Sequence, residues 1–152
     1  MNLPATVNDQ TLFKGVNFAQ QYDMAPIVIA MVTDRGIDPT ALRIRNVTGS
    51  GFEIAQVESP NGDGQHAAMP GVAWLAITPG TYNIGGATVE AGFHSTTTTV
   101  QSSPPFADAG GHDTINFTGN FTKSPTVLTH IQTMNNESTV DPPPGGPSTP
   151  WL

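Results

Sequence analysis

The sequence of 152 residues contains no cysteine, and this absence removes two classes of structure. Without thiols the chain has neither disulfide bonds nor thiolate metal sites. A domain of about a hundred residues can bury a sufficient core without such cross-links. Any folded domain in this chain therefore depends on packing and hydrogen bonding alone.

Charge is scarce as well. Only 11% of the residues are charged, against about 25% in an average protein, and the formal net charge at pH 7 is -7. Five basic residues offer no patch that could neutralise a phosphate backbone, so we expect no nucleic-acid partner. A surface so poor in charge must be rich in hydroxyl and amide groups, as in many secreted β proteins. We therefore expect an extracellular or cell-surface location.

Long apolar runs are also missing. No stretch approaches the roughly 20 residues that a membrane span requires, so we expect no membrane span. The first residues, Met1–Pro4, show neither the basic nor the apolar region of a secretion signal. We interpret the sequence as a mature chain or as a piece of a longer protein, and a cytoplasmic protein stays open as the alternative.

The short signatures of common catalytic sites do not occur. The sequence has no His-Glu-x-x-His motif, no phosphate-binding glycine loop with lysine and no Gly-x-Ser-x-Gly motif. We therefore expect no enzyme activity and no cofactor. The four histidines lie on separate segments without metal-ligand spacing, so we expect no metal site either. The oxygen-rich loop Glu58–His66 has turn chemistry in its Asn-Gly-Asp-Gly core, and calcium binding stays open as the alternative.

An internal repeat is the most informative feature that the sequence does have. The pattern of residues 16–33 returns 99 residues later, at residues 115–132. A period near 100 residues is too long for a solenoid, whose repeats span about 20–50 residues, so each period indicates a domain. The matching pairs are Val16–Phe18 with Ile115–Phe117, Tyr22 with Phe121, Pro26 with Pro125, and Ile27–Ile29 with Thr126–Leu128.

The repeat divides the chain into three parts. Residues 1–91 form a complete first domain, residues 92–111 a threonine- and proline-rich connector, and residues 112–152 an incomplete second copy. Within the copy, Asp141–Pro150 holds five prolines and two glycines, which excludes regular structure there. We interpret that stretch as an inserted loop.

Apolar residues recur with a period of two, which is typical of β-strands. Leu42–Val47 and Phe52–Val57 both alternate, and the turn residues between them predict a hairpin. Ile27–Thr33 is continuously apolar, which predicts a strand buried on both faces. Further strands are expected over residues 71–78, 82–84, 114–117 and 125–133.

Fourteen prolines and sixteen glycines disfavour helices throughout. The fold class that follows is all-β: an antiparallel β-sandwich of about six strands, followed by an incomplete second copy. The alternation places seven apolar side chains mainly in the core: Phe18, Ile27, Ile29, Ile44, Phe52, Ile54 and Leu75.

The order of these motifs resembles the H-type lectin domain. Val-Asn-Phe, an aromatic residue, a proline and an apolar strand are followed by Leu-Arg-Ile-Arg-Asn-Val-Thr and Gly-Phe-Glu-Ile. The stretches Gly71–Gly80 and Ile131–Glu137 are more similar to the tandem lectin-like repeats of large bacterial surface proteins related to the pilus-biogenesis protein MshQ. The resemblance implies a six-stranded sandwich, carbohydrate binding and oligomerisation.

Four residues are candidates for a glycan-binding rim: Asp34, Arg35, His66 and Tyr82. Asp34 and Arg35 place a carboxylate beside a guanidinium, a combination that suits sugar hydroxyls, whereas a solvated ion pair in a turn is the plainer interpretation. Tyr82 follows Pro79-Gly80, and we expect it to be exposed enough to stack on a sugar ring. Trp74 lies between Ala73 and Leu75, which favours a core or interface position.

Two hypotheses of function follow. The first is a bacterial carbohydrate-binding or adhesion module, whose partner is a glycan or surface polysaccharide. The second is a structural subunit of an extracellular filament or oligomer, because the strands of an incomplete copy would leave edges and apolar faces open. Under the second hypothesis, strand pairing between copies makes self-association the expected behaviour.

Overall fold

A computed structural model describes residues 1–4, 12–33, 40–58, 71–96 and 113–132. The described chain is all-β with antiparallel sheets, as the sequence predicts, and it contains no helix in these ranges. In the part described, no helix is therefore available to cross a membrane. The strands are β1 (Lys14–Asn17), β2 (Ile27–Val32), β3 (Thr40–Arg45), β4 (Gly51–Glu58), β5 (Val72–Ile77), β6 (Gly80–Ile84) and β7 (Ala87–Ala91).

Two sheets form the sandwich and a hairpin follows it. The first sheet has the order β1-β4-β3, the second pairs β2 with β5, and β6 pairs with β7. In the first sheet Ile44 lies opposite Ile54, and Val16 lies opposite Phe52. These inward side chains meet Val28 and Val72 from the second sheet in one core.

Turn chemistry determines where the hairpins reverse. Gly85 and Gly86, at the tip of the β6–β7 hairpin, have φ angles of 59° and 85°. Two consecutive left-handed residues give the turn whose twist matches a tight antiparallel hairpin, and glycine adopts them without steric cost. The Asn83 side chain accepts a hydrogen bond from the Gly86 amide at 3.1 Å and closes the turn.

The β3–β4 turn lies close to the backbone of the first repeat segment. The Phe18 amide donates to the Ser50 carbonyl at 2.9 Å, and the Tyr22 amide donates to the Gly49 carbonyl at 2.8 Å. A β-carbon at Gly49 would collide with the Tyr22 carbonyl oxygen. The turn therefore needs glycine because another stretch of backbone occupies the space of a side chain.

The core agrees with part of the predicted set. Ile44, Phe52 and Ile54 are buried, and Phe18 is half-buried against the core. On β2, however, Val28 and Ala30 are buried whereas Ile27 and Ile29 are only half-buried. The prediction for Leu75 was wrong, because its side chain is 56% exposed. An all-apolar strand gives no periodic signal, so the sequence could not fix which face of β2 and β5 turns inward.

Two further differences concern Arg43 and the second copy. The alternation in β3 suggested a polar outward position for Arg43, but its side chain is buried together with Ala55, which lies opposite it. Residues 113–132 form no strand, although strands were expected over 114–117 and 125–133. A strand requires a hydrogen-bonding neighbour, and the described residues provide none along this segment.

Candidate functional site

The predicted glycan-binding rim is only partly visible. Asp34, Arg35 and His66 lie outside the described residues, as does most of the Glu58–His66 loop. Tyr82 is half-buried on β6, and its hydroxyl donates to the Thr78 carbonyl at 2.9 Å. The same hydroxyl lies 2.5 Å from the Thr78 hydroxyl, so Tyr82 closes the β5–β6 turn.

The most unusual surface is the outer face of the β2–β5 ribbon. All residues of β2 and β5 are apolar, with the sequences IVIAMV and VAWLAI. One face of the ribbon packs on the core, and Met31 at 61% and Leu75 at 56% are the most exposed large side chains on the opposite face. We call this opposite face the outer ribbon face: Ile27, Ile29, Met31, Ala73, Leu75 and Ile77.

The corresponding outer surface of the three-stranded sheet is chemically different. There Arg45 forms an ion pair with Glu53 at 2.6 Å, and the Phe13 ring lies 3.7 Å beneath the Arg45 guanidinium carbon. Arg43 shares this face of β3. Among the described residues, one outer surface of the sandwich thus carries charge and the other carries none, so the ribbon is the outer surface that suits an apolar partner.

Both edges of the ribbon carry hydrogen bonds from outside the sheet. Along β2, the Val28 amide donates to the Gln132 side-chain oxygen. Along β5, Val72 exchanges hydrogen bonds with Met1 at 3.0 and 3.2 Å, and the Tyr22 hydroxyl donates to the Ala76 carbonyl at 3.3 Å. Such contacts protect strand edges from pairing, so the open feature of the ribbon is its face.

An aromatic stack lies where the two sheets meet. The Trp74 ring centroid is 5.8 Å from that of Phe18 and 5.5 Å from that of Phe52, and Tyr22 meets Phe18 edge-on at 5.0 Å. Trp74 remains 37% exposed. It therefore combines a packed position, as the sequence favoured, with an accessible part that an external ring could contact.

Residues 113–132 are held against the first domain by side chains. The Glu90 carboxylate on β7 accepts hydrogen bonds from the amides of Thr118 and Gly119 at 2.7–2.9 Å and from the Thr118 hydroxyl at 3.0 Å. These bonds favour the ionised form, so the two amides chiefly, with the hydroxyl, lower the pKa of Glu90. Nearby, His94 lies 2.9 Å from Asp113.

The other end of the segment reaches the seam between β2 and β3. Burial chiefly, and then the Arg43 charge, lower the pKa of His130, whereas the backbone of Leu42 and of Ala30 beside the ring raises it. The Nε2 atom of His130 is buried and makes no hydrogen bond within the described ranges. Both causes that lower this pKa favour the neutral ring.

This docking could not be predicted from the sequence. His130 and Gln132 lie in the repeat, but no pattern there marks them as contacts, and the partners of these residues and of Glu90 are mostly backbone groups, which carry no signature in side-chain patterns. The scarcity of charge was the one available signal, since Glu90 is among only twelve acidic residues.

The chain was also compared with known proteins. Neither family models, nor curated proteins, nor solved structures gave a match to it.

Proposed function

We propose that this chain is a structural module that associates with further copies of itself through the outer ribbon face, in an extracellular assembly. One observation carries the proposal: a two-stranded ribbon without a polar side chain has one face on the core, and its other face is exposed at Met31, Ala73 and Leu75. Soluble monomers rarely expose a contiguous apolar surface of this kind, and such surfaces usually mark interfaces.

A second copy is the partner whose chemistry fits. The outer ribbon face of the second copy has the same apolar side chains and no charged group that would have to be dehydrated in the contact. Two copies can therefore associate face to face around a two-fold axis. Burying the exposed halves of Met31 and Leu75 contributes about 1 kcal/mol each. Four residues of the second repeat segment are exposed apolar side chains as well: Ile115, Phe117, Val127 and Leu128.

Sedimentation equilibrium on matched variants tests this function. Leu75→Ser should weaken self-association at least tenfold, because it places a hydroxyl in the contact. Ile84→Ser is the control, since Ile84 is 57% exposed on the separate β6–β7 hairpin. This variant should associate like the unchanged chain. A wild-type chain that remains monomeric at all concentrations would contradict the proposal.

The partly exposed Trp74 favours a second candidate function, carbohydrate binding. Aromatic rings stack on the apolar faces of sugars, and the stack with Phe18 and Phe52 would hold the indole ring in place. A glycan array followed by titration of a hit against Trp74→Phe and Asp34→Ala separates the two candidate positions. Loss of binding only in Trp74→Phe supports the stack, loss only in Asp34→Ala supports the predicted rim, and an array without any hit excludes both.

A further inference from the structure

His130 and Gln132 lie at the seam between the two sheets. The two residues are separated by one position, and both reach the seam where the free edge of β2 runs past β3. The His130 ring lies beside the backbone of Ala30 on β2 and of Leu42 on β3, while Gln132 accepts the hydrogen bond of the Val28 amide. Gln132 thus satisfies one amide of an edge for which the described residues provide no strand, and His130 packs beside it.

The charges around this seam disfavour a protonated ring. Arg43 on β3 is buried nearby and carries a permanent positive charge. On β2 no residue is ionisable, and Leu128–Gln132 has no ionisable group besides His130 itself. A proton on the ring would thus add a second positive charge in a site shielded from water, where burial and the Arg43 charge outweigh the backbone of Leu42 and Ala30 beside the ring.

We propose that His130 and Gln132 form an acid-released latch, which holds residues 128–132 over the β2 edge at neutral pH and frees that edge for a second copy on acidification. The release itself is independent of the proposed function. Its consequence for assembly rests on the proposed self-association.

The direction of the pH effect follows from the lowered pKa of His130. Above pH 6.5, the ordinary pKa of histidine, the ring is neutral in the undocked segment as well, so docking costs no proton and is favoured. As the pH falls from 6.5 toward the lowered pKa of the docked ring, the undocked ring takes up a proton first, and the preference for docking is lost. The contact of the Glu90 carboxylate with Thr118 and Gly119 also weakens on acidification, but at lower pH. Because the pKa of Glu90 is lowered, this contact is lost only as the pH falls below 4.5. Release therefore begins at the His130 end.

Amide hydrogen exchange at about pH 7.5 and about pH 5.2, corrected for intrinsic exchange, tests the latch. In the wild-type chain, the protection of the β2 amides that face away from β5, beginning with Val28, and of residues 128–132 should fall at least tenfold at the lower pH. His130→Gln should remove this pH dependence and His130→Lys should remove protection at both values. The control His94→Gln should retain the wild-type response at the β2 edge.

Protection of the β2 edge that does not change with pH in the wild-type chain would overturn the proposal. Since His130→Gln could dock poorly for steric reasons, an NMR titration of the wild-type ring provides the second test. A ring that titrates below 6.5 supports the latch, and one that titrates at or above 6.5 refutes it. Light scattering at both pH values separates the release of the latch from its consequence for assembly. If amide protection is lost at the lower pH and the molecular mass does not increase, the latch is supported and its link to assembly is contradicted.

Discussion

Residues 16–33 and 115–132 share a sequence pattern but differ in their surroundings. In both segments an aromatic pair four residues apart meets edge-on: Phe18 with Tyr22 at 5.0 Å and 76°, Phe117 with Phe121 at 5.4 Å and 69°. The first segment continues into a strand that buries Val28, whereas the second forms no strand and leaves Val127 57% exposed. The local aromatic geometry thus follows from sequence spacing, but strand formation depends on a partner.

The partner in the first copy is the β3–β4 hairpin. Its turn accepts the amides of Phe18 and Tyr22, and its strand β4 pairs with β1. In the second segment the Phe121 amide reaches only the nearby Gly119 carbonyl, at 3.0 Å. In place of the backbone hydrogen bonds between paired strands, the second segment is held by a few side-chain contacts of Glu90, His130 and Gln132. Its apolar side chains therefore stay available for another copy.

The comparison predicts its largest effect at two valines related by the repeat. Val28→Asp should destabilise the fold by more than about 4 kcal/mol, because it places a carboxylate in the core. Val127→Asp should change the free energy of unfolding by less than about 0.5 kcal/mol and should weaken association instead. Chemical denaturation followed by circular dichroism measures both, and comparable losses in the two variants would show that the second segment is as deeply packed as the first.

A smaller difference is expected at the matched phenylalanines. Phe18→Ala removes a ring that touches Tyr22, Phe52 and Trp74, and should cost about 3 kcal/mol. Phe117→Ala removes one aromatic pair from a side chain that is 48% exposed, and should cost about 1 kcal/mol or less. Thermal unfolding of both variants checks the order, and a larger loss for Phe117→Ala would reverse the comparison.

The smallest effect concerns the contact that ties the second segment to β7. Glu90→Gln should leave global unfolding unchanged, since the carboxylate lies at the surface, but should speed amide exchange at Thr118 and Gly119. In the wild-type chain this protection should persist at neutral pH and be lost as the pH falls below 4.5, toward the lowered pKa of Glu90. Exchange at these two amides that is indifferent both to the substitution and to acid would show that Glu90 does not hold the segment.

Much of the fold could be predicted from the sequence because alternation and turn residues report local requirements. The β3–β4 hairpin is confirmed, with Ile44, Phe52 and Ile54 buried on one face and glycines in the turn. On β2 and β5 every residue is apolar, so no alternation distinguished the core face from the other, and Leu75 was placed on the wrong side. The absence of polar residues on β2 and β5 therefore has two effects: it prevents a prediction of the inward face, and it creates the outer ribbon face.

The candidate site was less accessible to sequence reasoning. Of the predicted rim, Tyr82 lies within the described residues, and its hydroxyl is engaged in a turn that pattern alone could not show. The docking of residues 113–132 arises from contacts between residues 19–104 positions apart, many of them to backbone groups. A single sequence records neither the distance nor the partner in such contacts.

Labelling of single cysteines tests the central claim most directly, because the chain has no cysteine of its own. Maleimide should react with Leu75→Cys more slowly as the protein concentration rises, since a second copy covers the outer ribbon face. The reaction with Ile84→Cys should keep one rate throughout, because position 84 is equally exposed but lies on the separate hairpin. Equal, concentration-independent rates at positions 75 and 84 would contradict the account.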